Sequence, residues 1–123
     1  KESGTKEAIG FWINQKVDNR MSVPIEIFPS IEIQIAALSL LKEAREKKRS
    51  INRVDLFELL ETIFIKHELE PQRRDIQELI GLVTNPMLAL GYIESKGGVF
   101  EKTFYITAFG ESYLDWLKGL EDA

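Results

Sequence analysis

Cysteine is absent from this 123-residue chain, and histidine occurs once, as His67. The lack of cysteine excludes a disulfide framework, a thiol nucleophile and a thiolate zinc site, and a single histidine excludes a cluster of histidine ligands. No apolar run approaches the ~20 residues that a membrane-spanning helix needs, and no signal peptide is visible. We therefore expect a cytoplasmic protein without a metal, a cofactor or a membrane partner.

Motifs for catalysis are missing as well. The sequence contains no P-loop and no G-x-S-x-G nucleophile turn. The pair Gly97-Gly98 precedes a predicted strand rather than a helix, so it indicates a hairpin turn and not a phosphate loop. His67 lies near the apolar face of a predicted helix, where a packed or capping side chain is the simplest interpretation. The sequence thus predicts a binding protein and not an enzyme.

The composition fits one compact domain, since 44% of the residues are hydrophobic and 29% are charged. The net charge is -4, so a role in nucleic-acid binding would depend on a local basic patch. The first residue is Lys1 and not methionine, from which we expect a fragment or a trimmed product. We divide the chain into an N-terminal helix and extended linker, residues 1–29, and a main domain, residues 30–123.

Apolar spacing predicts five helices. The first, over residues 5–21, has a stripe of Ile9, Trp12, Ile13, Val17 and Met21. Two prolines then make residues 22–29 an extended linker. A second helix runs from a Ser30 cap to about Arg49, with a stripe of Ile31, Ile35, Leu38, Leu41 and Ala44.

After a break at residues 50–52, Asn52 caps a helix that runs to about Glu68, with Asp55 in its acidic first turn. Its stripe consists of Val54, Leu56, Leu59, Leu60, Ile63, Phe64 and His67. The next helix opens at Glu70-Pro71 and has a stripe of Ile76, Leu79, Ile80, Val83 and Met87. At Pro86 this helix either kinks or gives way to a short segment capped by Asn85.

The periodicity changes after Gly91. Residues 92–94 form a predicted strand, residues 95–98 a turn and residues 103–107 the returning strand, and a last helix starts at Phe109. That last helix carries Tyr113, Leu114, Leu117 and Leu120 as its apolar residues. A lone hairpin is marginal in water, so it must pack on the helices. The order predicts an α+β, mainly α, fold: a winged helix-turn-helix with three core helices, a β-hairpin wing and extra N- and C-terminal helices.

Residues near the hairpin carry a family resemblance. The run LALGYIES, followed by FYITAFGESYLDWL, resembles the end of the domain in MarR- and PadR-type transcriptional regulators. The matching residues are Leu90, Gly91, Tyr92, Ile93, Tyr105, Ile106, Thr107, Gly110 and Leu114. Within this pattern Thr107 can cap the last helix and Gly110 leaves room where the strand turns into it. The resemblance covers about residues 30–120.

The resemblance implies double-stranded DNA as a partner, with the third helix of the domain in the major groove. Its outward residues would read bases: Arg73, Arg74, Gln77 and Asn85. Lys96 and Lys102 of the wing, and Arg53, would contact phosphates. Because Asp75 and Glu78 are interleaved, the same helix face also fits a solvated surface with local ion pairs.

A basic cluster is the most visible charged feature. Residues 42–53 hold six basic and two acidic residues, a net +4. Its central members, Lys47, Lys48 and Arg49, suit a phosphate-binding edge. They equally suit an exposed helix end that complements the helix dipole.

Two functions follow from these residues. The first is a DNA-binding regulator, expected to form a homodimer through its terminal helices, with Phe11, Trp12 and Trp116 either in the core or at that interface. The stripe of residues 5–21 would then pack on the final helix or on a second subunit. The alternative is a winged-helix assembly module that binds a protein partner and does not read DNA. The low pI of about 5.1 favours the alternative.

Overall fold

A computed structural model describes residues 30–99 and 101–122 of the chain. The predicted N-terminal helix and linker, residues 1–29, lie outside the described residues. The elements in order are α1 (Ile31–Glu46), β1 (Ile51–Asn52), α2 (Arg53–Lys66), α3 (Arg73–Ala89), β2 (Ile93–Lys96), β3 (Thr103–Ile106) and α4 (Ala108–Asp122). This part of the chain is α+β and mainly helical, as predicted.

The sheet has three antiparallel strands in the order β1-β3-β2. The predicted hairpin is confirmed, since Ile93 lies opposite Ile106 and Lys96 opposite Thr103. The break predicted between two helices at residues 50–52 is confirmed, but it contains a strand that was not predicted, because Ile51 and Asn52 pair with Phe104 and Thr103 of β3. Two residues are too few to show strand periodicity, but Ile51 is buried and fixes this strand to the core.

One apolar core joins every element. The whole predicted stripe of α3, from Ile76 to Met87, is buried. The stripes of the other helices were partly wrong, because Ile31, Val54 and Leu120 are exposed. On α1 the core instead takes Ile33 and Ala37. The exposed residues lie within a turn of a helix end, where a side chain reaches past the neighbouring elements.

The helix ends follow local capping chemistry. The Ser30 hydroxyl accepts a hydrogen bond from the Ile33 amide. Asn52 caps α2 as predicted, and together with Asp55 it forms a reciprocal capping box. At the other end, α1 stops at Glu46 and not at Arg49, because Lys48 takes a positive φ of 55° and the Arg49 amide donates to the Ala44 carbonyl. Glu68 ends α2 in the same way, at a φ of 60°.

Helix α3 begins at Arg73, two residues after the predicted proline start. It continues through Pro86 to Ala89, so Asn85 caps no separate segment. Gly91, at a φ of 80°, ends the helix turn, and the Tyr92 amide donates to the Met87 carbonyl. Helix α3 is therefore one uninterrupted element that leads through Gly91 into β2.

The hairpin differs slightly from the prediction, because Ser95 and Lys96 belong to β2 and not to the turn. Gly97, at a φ of 95°, provides the reversal. At the end of β3 the Thr107 hydroxyl accepts a hydrogen bond from the Gly110 amide over 3.0 Å, which confirms the predicted cap. A Cβ at Gly110 would collide with the Tyr92 carbonyl, so this glycine is needed where strand and helix meet.

Within the described residues, no helix combines the length and the apolar character needed to cross a membrane.

Candidate nucleic-acid interface

An open groove lies between α2 and α3, with a volume of about 580 Å³. Three of the residues predicted to bind DNA line it: Arg53 from the start of α2, and Arg73 and Gln77 from the start of α3. The start of α3 therefore places Arg73 and Gln77 in the same groove as Arg53 of α2. Residues that the sequence placed in separate helices share one surface.

A second groove, of about 270 Å³, lies between the N-terminus of α2 and the residues at the start of β3. Arg53 and Val54 line it together with Lys102 and Thr103, which belong to the wing side. Arg53 is thus common to both grooves. We call Lys102, Arg53, Arg73 and Gln77 the basic arc, because they follow one another from the wing across α2 to α3.

The two arginines of the basic arc are electrostatically available. Both are exposed, and within residues 30–99 and 101–122 neither side chain has an ion pair or a hydrogen bond. Glu61 of α2 also lines the first groove and Glu101 the second. The arc is therefore a rim of mixed charge in which the guanidinium groups remain open to an anion.

The outward face of α3 extends the basic arc. Arg74, Gln77 and Asn85 are exposed at helical spacing, and the half-buried Gly81 lies between them. Asp75 is instead buried, only 8% exposed, so it does not compete with the arginines on this face as the sequence suggested. Glu78, half-buried, is four residues after Arg74 and therefore lies on this same face. Three side chains that can pair with base edges thus share one face of α3.

The basic cluster at the end of α1 differs in its contacts. The Lys47 ammonium lies 2.8 Å from a Glu43 carboxylate oxygen, and Arg49 lies 3.8 Å from the same oxygen. The hydrogen bond from Lys47 holds the pKa of Glu43 below its usual value, helped by the charge of Lys47. In addition, Arg45 pairs with Glu111 of α4 at 2.6 Å. Carboxylates of the same chain therefore pair with much of the positive charge of this basic cluster.

The wing lysines occupy opposite ends of the hairpin turn. Lys96 is the last residue of β2, and its ammonium lies 5.1 Å from the centre of the Tyr105 ring, within cation–π range. Lys102 directly precedes β3 and faces the second groove. Only Lys102 therefore joins the basic arc, while Lys96 stands on the outer strand.

His67 belongs to a separate, structural cluster. It is 6% exposed, and its Nε2 lies 2.8 Å from Glu32, which also accepts a hydrogen bond from Lys66 over 2.9 Å. Burial raises the pKa of the Glu32 carboxyl, but the hydrogen bonds from Lys66 and His67 outweigh it and hold this pKa below its usual value. The expected packed and capping histidine is confirmed, since His67 is also the C-cap of α2.

Apolar residues that no sequence motif marked as a site complete the first groove. They are Val54, Phe57, Pro71 and Ile80. Val54 is 64% exposed, although its spacing suggested the core. The available signal was its place in the first turn of α2, between the capping-box residues Asn52 and Asp55, where a side chain lies beyond the packed part of the helix.

No family model matches this chain, and no similar protein was found among curated proteins or solved structures. Within the described residues, no cluster of three or more histidine, aspartate or glutamate side chains could hold a metal ion. The function is therefore inferred from the residues and geometry of the chain itself.

Proposed function

We propose that the chain is a winged-helix protein that binds double-stranded DNA and acts as a transcriptional regulator. Three features support the proposal. The element order and the β1-β3-β2 sheet are compatible with a winged-helix layout. The residues around Gly91 and Thr107 resemble MarR- and PadR-type regulators. The outward face of α3 is polar and carries Arg74, Gln77 and Asn85.

The observation that carries the proposal is the basic arc. Arg53 lines both grooves, so cations from α2, α3 and the wing lie along two adjoining grooves, together with one glutamate in each. A DNA backbone presents a row of phosphates that these cations can neutralise, with release of condensed counterions. Arg53, Arg73 and Lys102 would contact phosphates and fix the orientation of the protein on the duplex.

Sequence reading would come from α3. An arginine forms paired hydrogen bonds with guanine, and a glutamine or asparagine does so with adenine. Arg74, Gln77 and Asn85 would therefore read base edges in the major groove. Replacement of Arg74 and Gln77 by alanine should reduce discrimination between sequences by about 1–3 kcal/mol for each side chain replaced. Selection of binding sites from a random duplex library measures this reduction.

The test of DNA binding is the salt dependence of affinity, measured by fluorescence anisotropy on a labelled duplex. Each phosphate contact contributes about 0.9 to the slope of log affinity against log salt. Arg53→Ala should lower affinity on every sequence and reduce that slope by the share of about one phosphate. Lys118→Ala, which removes an exposed cation from α4, is the matched control and should leave the slope unchanged.

Either of two outcomes would contradict DNA binding through the basic arc. If the full chain shows no salt-dependent binding at low ionic strength, or if Arg53→Ala and Lys118→Ala have equal effects, the basic arc does not contact a phosphate backbone. The predicted homodimer stays a prediction.

A second candidate function is an assembly module for a protein partner. It is favoured by the apolar floor of the first groove, where Val54 is 64% exposed beside Phe57 and Ile80. Pockets of this size, apolar with a few charged groups, suit a partner side chain or a peptide. Release of a partner by Val54→Asp, with no detectable DNA binding by the unmodified chain, would favour this candidate.

A further inference from the structure

Four aromatic rings form a continuous stack on the surface, away from the basic arc. Tyr92 and Tyr113 are nearly parallel, with their centres 4.0 Å apart. Phe109 stacks on Tyr92 at 5.1 Å, and Trp116 on Tyr113 at 5.8 Å. We call these four residues the aromatic stack. It runs along one face of α4, because residues 109, 113 and 116 lie at helical spacing.

Two hydrogen bonds attach the aromatic stack to the rest of the fold. The Tyr92 carbonyl accepts a hydrogen bond from the Thr107 amide over 3.1 Å, which ties the β2 side to the start of α4. The Tyr113 hydroxyl donates to the Gln34 side chain over 2.7 Å, which ties α4 to α1. Partial burial raises the pKa of Tyr113. The rings therefore form a preorganised surface.

The two outer residues of the aromatic stack are much more exposed than core residues. Phe109 is 60% exposed and Trp116 59%. Leu120, the next residue on the same face of α4, is also exposed. Contiguous apolar surface of this kind indicates a covered or binding surface.

The position of Ser30 connects this face with the preceding part of the sequence. Ser30 caps α1, and Gln34, one turn further on, binds Tyr113. The 29 residues before Ser30 are therefore attached beside the aromatic stack. They include the only other tryptophan of the chain, Trp12, within the apolar stripe of residues 9–21.

We infer that the aromatic stack is the docking site for the apolar stripe of residues 5–21 of the same chain. The lengths match: as a helix, residues 9–21 would extend about 18 Å, and the face from Phe109 to Leu120 extends about 17 Å. The intervening residues 22–29 can span up to roughly 26 Å. The tether also keeps the segment at a high effective concentration, about millimolar for a short linker.

The charges agree with this occupant. Residues 5–21 contain three basic and two acidic residues, whereas α4 contains four acidic residues and one basic residue. The two elements thus have net charges of opposite sign around their apolar faces. A second copy of α4 would instead bring like charges together, which favours the tethered segment over a symmetric contact between two α4 faces.

Paramagnetic relaxation tests the inference on the full chain. The chain has no cysteine, so Ser112→Cys places a single spin label beside the aromatic stack, and Glu58→Cys places a control label on the exposed side of α2. We expect the amide signals of residues 9–21 to weaken with the label at position 112 and to keep their intensity with the label at position 58. Trp116→Ala should abolish the weakening, whereas Val54→Ala, at an exposed apolar residue elsewhere, should not.

An isotope-mixed sample separates the same chain from a second copy. If residues 9–21 of an isotope-enriched chain without a spin label weaken next to a spin-labelled chain without isotopes, the stripe docks on another molecule and the inference is overturned. Equal signals with both label positions overturn it too. Weakening within one chain only, abolished by Trp116→Ala, supports it. Because Trp116 is exposed, this variant should fold, and the core signals of Leu114 and Leu117 check that it does.

Discussion

The two basic regions of the molecule differ in what their charges contact. The part of the basic cluster at the end of α1, residues 42–49, is the denser one, yet Lys47 and Arg49 share the Glu43 carboxylate, and Arg45 binds Glu111. The basic arc has fewer cations, but within the described ranges Arg53 and Arg73 have no ion pair. The density of charge along a sequence is therefore a poor guide to the charge that an external anion can use.

The difference has a local origin. On α1, Glu43 and Lys47 are four residues apart, a spacing that places the two side chains together on a helix surface. The positive φ of Lys48 then turns the chain so that Arg49 comes back towards Glu43. At the start of α2, by contrast, the nearby carboxylate of Asp55 accepts a hydrogen bond from the Asn52 amide in the capping box. Arg53 is left without that partner.

The largest expected effect comes from two double variants, one in each basic region. Arg53→Ala with Arg73→Ala, and Lys47→Ala with Arg49→Ala, each remove two positive charges. We expect about 10- to 100-fold weaker DNA binding for the arc pair, because it removes two available phosphate contacts, and about 3-fold or less for the α1 pair. Anisotropy titrations at one fixed salt concentration measure both. Equal decreases would show that total charge, and not its pairing, decides binding.

The sequence could predict much of the fold and less of the site. Capping residues and the stripe of α3 are short-range signals, and both were confirmed at Asn52 and Ile76–Met87. The strand β1 could not be seen, because its two residues pair with β3 across a long loop of chain. The grouping of Arg53, Arg73 and Lys102 depends on how α2, α3 and the wing pack, which no single segment encodes. The capture of Lys47 and Arg49 by Glu43 was readable only in part, from the Glu43–Lys47 spacing.

The cluster of Glu32, Lys66 and His67 is the extreme case of paired charge in this comparison. Its carboxylate contacts both other side chains, and His67 is buried. Glu32→Gln should lower the free energy of unfolding by about 1–2 kcal/mol at pH 7, since it weakens two hydrogen bonds to a charged acceptor. The pKa of Glu32 is lower in the folded state than in the unfolded state. Its contribution is therefore present above the ordinary value of 4.5 and is lost as pH falls through the lowered folded-state pKa.

Urea unfolding at pH 7 and at pH 3 measures this effect. The difference in stability between the unmodified chain and Glu32→Gln should shrink at the lower pH. DNA affinity at pH 7 should not change, because the cluster lies outside the basic arc. A difference in stability that is constant with pH would show that the paired charge of Glu32 contributes nothing.

The smallest expected effect comes from removing the carboxylate that pairs with the cations at the end of α1. Glu43→Gln removes the partner of Lys47 and Arg49, and we expect DNA affinity to rise about 2- to 3-fold, within the range of exposed ion-pair effects. Glu46→Gln is the matched control, because it changes net charge equally at an exposed position of the same helix. A gain of about tenfold or more for Glu43→Gln would exceed that range and identify the α1 cluster as the main DNA surface.

The central claim is that DNA contacts the basic arc. Its most direct test is an NMR titration of the full chain with a short duplex, in which the side-chain Nε–Hε signals of Arg53, Arg73 and Arg74 are followed together with those of Arg45 and Arg49. We predict that the first three shift at low salt, while Arg45 and Arg49 stay in place on their carboxylate partners. Shifts confined to Arg45 and Arg49, or the absence of any shift among these arginines, would contradict the proposed interface.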